Sequence, residues 1–115
     1  MRPTHFSASG NSFGVHEWRG SGPGTLHVHN SDDEAWHVLE GELTFRYNDR
    51  TETVGPGTTV FVPAGVPHTY STGAGARYLI ILTPRIAALI SALQANGDPS
   101  NQRDIYRRFD SELLE

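Results

Sequence analysis

The strongest constraint on the fold is punctuation. Asn48-Asp49, Gly55-Pro56-Gly57, Pro63-Ala64-Gly65 and Gly73-Ala74-Gly75 place chain-reversing residues between short runs rich in β-branched and aromatic side chains. Those runs are residues 13–18, 25–30, 35–39, 42–48, 51–54, 58–62, 68–72 and 77–82. Eight short strands with hairpin-sized connections predict an all-β sandwich or barrel. Residues 42–47 alternate cleanly, with Leu43, Phe45 and Tyr47 on one face and Arg46 turned to solvent. With 115 residues, the chain is read as one domain.

After Pro84 the period changes. Ile86, Leu89, Ile90 and Leu93 recur at helical steps and Asn96-Gly97 supplies a stop, which predicts a helix of about three turns. Asp98-Pro99 then reads as a cap with proline at the first helical position, and Ile105, Phe109 and Leu113 form the stripe of a second helix. The expected organisation is an arm over 1–11, a β-barrel over 12–83 and a helical extension over 84–115 packed outside the β body or against a second subunit.

Composition removes several chemistries. There is no Cys, so thiolate nucleophiles, disulfides and cysteine-ligated metal centres are excluded. All nine basic residues are Arg, so no lysine amine can form a Schiff base. A net charge of −4 offers no field for nucleic acid or an anionic membrane surface. No apolar run reaches the length of a membrane span, and residues 1–14 lack a signal-like core, so a cytoplasmic location is expected.

Histidine carries what remains. Residues two apart on a strand share a face, so His27 and His29 project together from positions roughly 7 Å apart. Glu34 opens the next strand beside them, and His68 follows a hairpin stiffened by Pro63, Gly65 and Pro67. Three imidazoles and one carboxylate, without sulfur, suit one divalent Fe, Mn, Ni, Cu or Zn ion and argue against Ca or Mg. His37 falls on the strand face opposite Glu34, His16 is read as structural, and His5 lies in the arm. Trp36 and Val38 share a face with Glu34, and Tyr70 with His68, making them candidate substrate-binding walls. Glu34 and Tyr70 are the candidate catalytic groups, the Tyr70 hydroxyl as a donor to a metal-bound oxygen.

This pattern resembles the two motifs of the cupin superfamily. His27, His29, Glu34 and Gly41 match the first; Gly57, Pro63, Gly65 and His68 match the second, with fifteen residues between Gly41 and Gly57. Two departures touch no ligand: the early glycine is Gly22 or Gly24, and Thr72 stands where the second motif often has Asn. The resemblance covers residues 13–83 and implies a jelly-roll (double-stranded β-helix) barrel. The barrel with a helical tail is similar to bacterial quercetinase-like proteins, which implies a dioxygenase acting on a flavonol-like or diketone-like substrate chelated to the metal. A redox-neutral isomerase, decarboxylase or lyase, and a non-catalytic small-molecule binder, are the alternatives. Sugar phosphates fit less well, because only Arg77 and Arg19 are placed to clamp an anion. A homodimer is expected, since a small jelly roll has sheet edges to cover.

Overall fold

The computed structural model describes residues 6–20, 22 and 24–115. His5 and the start of the arm lie outside them. In chain order the strands are β1 (Ser7–Ser9), β2 (Gly14–Trp18), β3 (His27–His29), β4 (Glu34–Glu40), β5 (Leu43–Arg46), β6 (Thr51–Val54), β7 (Thr59–Val62), β8 (Thr69–Thr72) and β9 (Arg77–Leu82). Helix α1 (Pro84–Ala95), a 3-10 turn (Pro99–Asn101), helix α2 (Gln102–Arg108) and strand β10 (Ser111–Leu113) follow.

Two layers face each other. One is a five-stranded sheet in the order β1-β2-β9-β4-β7. Opposite lie a three-stranded sheet, β6-β5-β8, and a two-stranded one, β10-β3. His27 and His68 join the last two by a reciprocal pair of backbone hydrogen bonds of 3.0 and 2.9 Å. The result is a jelly roll, as the cupin resemblance implies and within the sandwich-or-barrel class that the turn spacing predicts. The alternation read in residues 42–47 holds, with Leu43 and Phe45 fully buried and Tyr47 nearly so. Together with Trp36, Val38, Tyr78 and Ile80 they fill the space between the layers.

Strand β4 ends in a bulge between Val38 and Glu40, after which Gly41 turns the chain at φ +74°. A Cβ there would sit 2.7 Å from the Ala76 Cα, so both the left-handed backbone and the close approach demand glycine. Gly41→Ala is expected to destabilise the fold by roughly 2–4 kcal/mol. A urea midpoint unchanged from the parent protein would contradict this.

Helix α1 begins where expected: the Thr83 hydroxyl accepts from the Ile86 N–H and Pro84 occupies the first turn. Its stop is Asn96 in an extended conformation. The second helix departs from the periodic reading. The Asp98 carboxylate caps only the 3-10 turn, α2 ends at Arg108, and Leu113 lies in β10 instead of on a helical stripe. The reason is tertiary. Asp110 adopts φ +55°, its carboxylate accepts from Arg85 at 2.9 Å and Asn30 at 3.3 Å, and its carbonyl accepts from the Asn30 N–H. Those bonds reverse the chain and lay residues 111–113 along β3.

The helices close over one end of the barrel of their own chain. Ile86 joins the main core, while Leu89, Ile105, Tyr106 and Leu113 form a second apolar cluster. The arm contributes strand β1, paired with β2. Among the described residues, no helix is long and apolar enough to cross a membrane.

Candidate metal centre

Strand β3 is only three residues long, yet it is held on both sides, by β10 and by the His68 bridge. Strand alternation then turns His27 and His29 inward and buries both. Glu34, at the first residue of β4, and His68, just before β8, are buried beside them. The turn leading to His68 is locked to β3: the Gly65 N–H, at φ +87°, donates to the His29 carbonyl at 2.8 Å. The Asp33 carboxylate accepts from the Ala64 N–H at 2.9 Å.

The outer hydrogen bonds fix the tautomers. His27 Nδ1–H donates to the Thr25 carbonyl at 2.8 Å, and His68 Nδ1–H to the Val66 carbonyl at 2.9 Å. A carbonyl can only accept, so both rings carry their proton on Nδ1. Ser111 Oγ–H donates to the Phe109 carbonyl, which leaves its oxygen to accept from His29 Nδ1–H at 2.8 Å. All three neutral rings therefore present an Nε2 lone pair inward.

Glu34 Oε1 lies 3.2 Å from the Nε2 atoms of both His29 and His68. An anionic oxygen facing two nitrogen lone pairs in a buried site is unfavourable unless a cation lies between them. The ligand atoms of the three histidines fall within 4.8 Å of one another. Metal–nitrogen bonds of roughly 2.0–2.1 Å allow ligand atoms up to about 4.2 Å apart around one ion. The His27, His29 and His68 cluster could therefore hold a metal ion after a small contraction. Glu34 touches two of these three ligands and is the carboxylate available to join them. Three nitrogens and an oxygen fit Fe, Mn, Ni, Cu or Zn.

Electrostatics favour the ligand forms. Burial, followed by repulsion from His68, pushes His27 down to about 4, so the ring is neutral near pH 7. Burial pushes Glu34 up, but in the ion-free cluster, where a proton on Nε2 of His29 or His68 stands in for the cation, hydrogen bonds to the carboxylate prevail and hold it at about 2. Both values lie below those of the free groups, so each contribution is present at neutral pH and fades in acid. For His27 it is lost as pH falls from 6.5 towards about 4. In the folded protein, protons compete for the His27 nitrogen only once pH falls to about 4, so a metal-loaded sample is expected to release its ion as pH drops through that value, measured as free metal after rapid filtration. Full retention at the acid end would contradict the histidine ligand set.

A cavity of about 260 Å³ opens beside the cluster. Trp36 and Tyr70 line it, together with Trp18, Ile80 and residues of both helices. Val38 does not; two residues further along β4 than Trp36, it is fully buried in the core. Tyr78 Oη–H donates to the Gly20 carbonyl at 2.7 Å, so the Tyr70 hydroxyl donates to Tyr78 at 2.9 Å. Its proton is thus aimed at Tyr78, not at the ion site, and its oxygen is left as an acceptor. Burial raises Tyr70, Tyr78 and Tyr106, the last to about 12, so the phenols stay neutral. Among the described residues, Glu34 is the only acid lining the cavity.

The other singled-out residues lie elsewhere. His37 Nδ1 meets Thr59 Oγ1 at 2.7 Å on the outer face, and His16 Nδ1 meets Ser7 Oγ at 2.7 Å. Arg46 is partly exposed but paired twice with Glu115 at 2.8 Å, and Arg77 is occupied by Glu17 and Glu40. Sequence reasoning missed Ser111, Tyr106, Gln94 and Gln102. All four follow the barrel, in a segment whose helical periodicity pointed away from the site.

A jelly roll that gathers three inward histidines and a carboxylate at the mouth of an apolar cavity defines a small barrel whose histidine cluster could hold a metal ion. The chain belongs to the Cupin_2 family of cupin domains, whose model matches residues 15–82. No curated protein sequence matches it. Among solved structures it is similar to a cupin-2 domain protein from Shewanella frigidimarina, with 24% identity and a TM-score of 0.58, covering 70% of this chain and 79% of that one. KdgF from a Halomonas species gives 18% identity and a TM-score of 0.58, covering 70% and 76%. The polyketide cyclase RemF from Streptomyces resistomycificus gives 31% identity and a TM-score of 0.54, covering 69% and 63%.

Proposed function

We propose that the chain is a metal-dependent dioxygenase acting on a small oxygenated compound of the diketone type. The observation that carries this reading is the tautomer-locked set of Nε2 lone pairs around Glu34 Oε1, placed at the wall of an otherwise apolar cavity. A transition-metal ion bound there supplies Lewis acidity and free coordination positions. The protein's own groups do the rest. Glu34, ionised and the sole acid in the lining, is placed to take the proton of an enolic or phenolic hydroxyl entering the cluster. The Tyr70 oxygen, steadied by Tyr78, accepts a hydrogen bond and orients the ligand. Trp36 supplies a flat, fully buried wall.

Cavity size narrows the substrate. About 260 Å³ lies below the roughly 300–1,000 Å³ of drug-sized pockets, which suits a one- or two-ring diketone or hydroxyketone better than a three-ring flavonol. The similarity to a polyketide cyclase favours one second reading, redox-neutral chemistry on the same kind of substrate. Anaerobically purified protein, loaded in turn with Fe, Ni, Mn and Zn, separates the two. Dioxygen uptake with small diketones and hydroxynaphthalenes supports the oxygenase; product formation without uptake selects the redox-neutral enzyme and rejects the first reading.

A homodimer is also proposed. Phe61, on edge strand β7, is 60% exposed, and its register partners across the sheet, Ala35 and Ile81, extend the apolar face outward. Sedimentation at micromolar concentration tests this, and a monomer would reject it.

A further inference from the structure

We propose that Tyr106, on helix α2, is the hydrogen-bond donor to the oxygen of a ligand entering the histidine cluster, so that the helical tail completes the site. The inference rests on the cavity being the substrate site, and it names the group that fixes the ligand there.

Position is the first observation. Tyr106 is buried, lines the cavity, and sets its ring centroid 5.5 Å from that of His27. Burial, followed by the charge of Glu34, raises its phenol to about 12, so it stays protonated at neutral pH. A neutral O–H therefore belongs to the same wall as a candidate ligand ring and the one acid of the lining.

The second observation is where each phenol proton goes. Two tyrosines line the cavity, Tyr70 and Tyr106. Tyr70 commits its proton to Tyr78, whose own proton goes to the Gly20 carbonyl. Among the described residues the Tyr106 hydroxyl has no hydrogen-bond partner, and unlike the Thr69 hydroxyl it is not sealed off without one. Its proton remains available to an occupant of the cavity.

Rigidity is the third. Tyr106 packs with Leu89, Ile105 and Leu113 in the second apolar cluster, and Arg103 ties α2 to the chain end by donating to the Leu113 and Glu115 carbonyls at 2.8 Å each. A donor already held by packing loses little freedom when a ligand binds. When Glu34 takes the proton of a ligand hydroxyl, the electron pair stays on that oxygen, and the negative charge left there strengthens the hydrogen bond it accepts from Tyr106. The phenol keeps its own proton throughout.

Ligand binding to the full chain loaded with cobalt(II) tests this without turnover, because the visible absorption of the ion reports exchange at its open positions. Tropolone binds a metal through two adjacent oxygens that retain lone pairs, whereas pyridine binds through its nitrogen and keeps no acceptor. Tyr106→Phe retains the ring and removes the hydroxyl; its thermal melt and cobalt content confirm folding and loading. Tropolone affinity is expected to fall about tenfold while pyridine affinity is unchanged. Unchanged tropolone affinity, or an equal loss for both probes, overturns the inference and leaves Tyr106 a packing residue. A parent chain that retains no cobalt, or whose spectrum neither probe alters, rejects the site reading and this inference together. Selective loss of tropolone in the variant, with no dioxygen uptake by the parent, would reject the oxygenase and leave the Tyr106 donor standing.

Discussion

Replacing His68 with alanine is expected to abolish stoichiometric retention of a transition-metal ion while leaving the barrel folded. The ring is 1% exposed, and its Nε2 lies in the cluster with those of His27 and His29. Removing it leaves two nitrogens and a carboxylate on one side of the cavity. Losing a direct ligand should cost more than the roughly 10–100-fold that follows loss of an outer-shell partner. The backbone bridge between His27 and His68 uses only main-chain atoms and survives the substitution. Metal content after gel filtration reads the effect, and circular dichroism confirms the strands. A folded variant that keeps a full equivalent of metal would remove His68 from the ligand set.

Deleting residues 111–115 is expected to weaken both metal binding and stability, more than a segment at the chain end would suggest. Ser111 braces His29 at 2.8 Å, and its own bond to Phe109 makes it an acceptor there, so its loss frees the ring to change tautomer. Leu113 leaves the second apolar cluster, at a cost of about 2–5 kcal/mol for a large buried aliphatic side chain. Glu115 releases Arg46 and the Leu26 N–H. Ser111→Ala separates the two effects. Alone, it should lower metal affinity by roughly 10–100-fold while the melting temperature shifts little. If the deletion lowers the melting temperature but leaves metal affinity intact, β10 is only a packing element.

The two outcomes also mark what could be seen without coordinates. Strand alternation placed Trp36 beside Glu34 correctly, because a period of two holds wherever a strand is regular. It failed for Val38, which shares that face but lies a pleat too deep to reach the cavity. Alternation gives a side chain's face and not its depth. Tyr70 was aimed at the interior, but the direction of its proton depends on Tyr78 and the Gly20 carbonyl, which are distant in the chain.

The sequence by itself determined the strands, their turns and the face shared by His27 and His29, because each rests on local rules: glycine where φ is positive, alternation along a strand, fixed offsets within hairpins. Only the tertiary structure decided that residues 111–113 abandon a helical period to pair with β3, that His68 meets His27 and that α1 walls the cavity. Those outcomes follow from hydrogen bonds and apolar contacts between segments up to 89 residues apart, such as Leu26 with Glu115, and no local pattern encodes them.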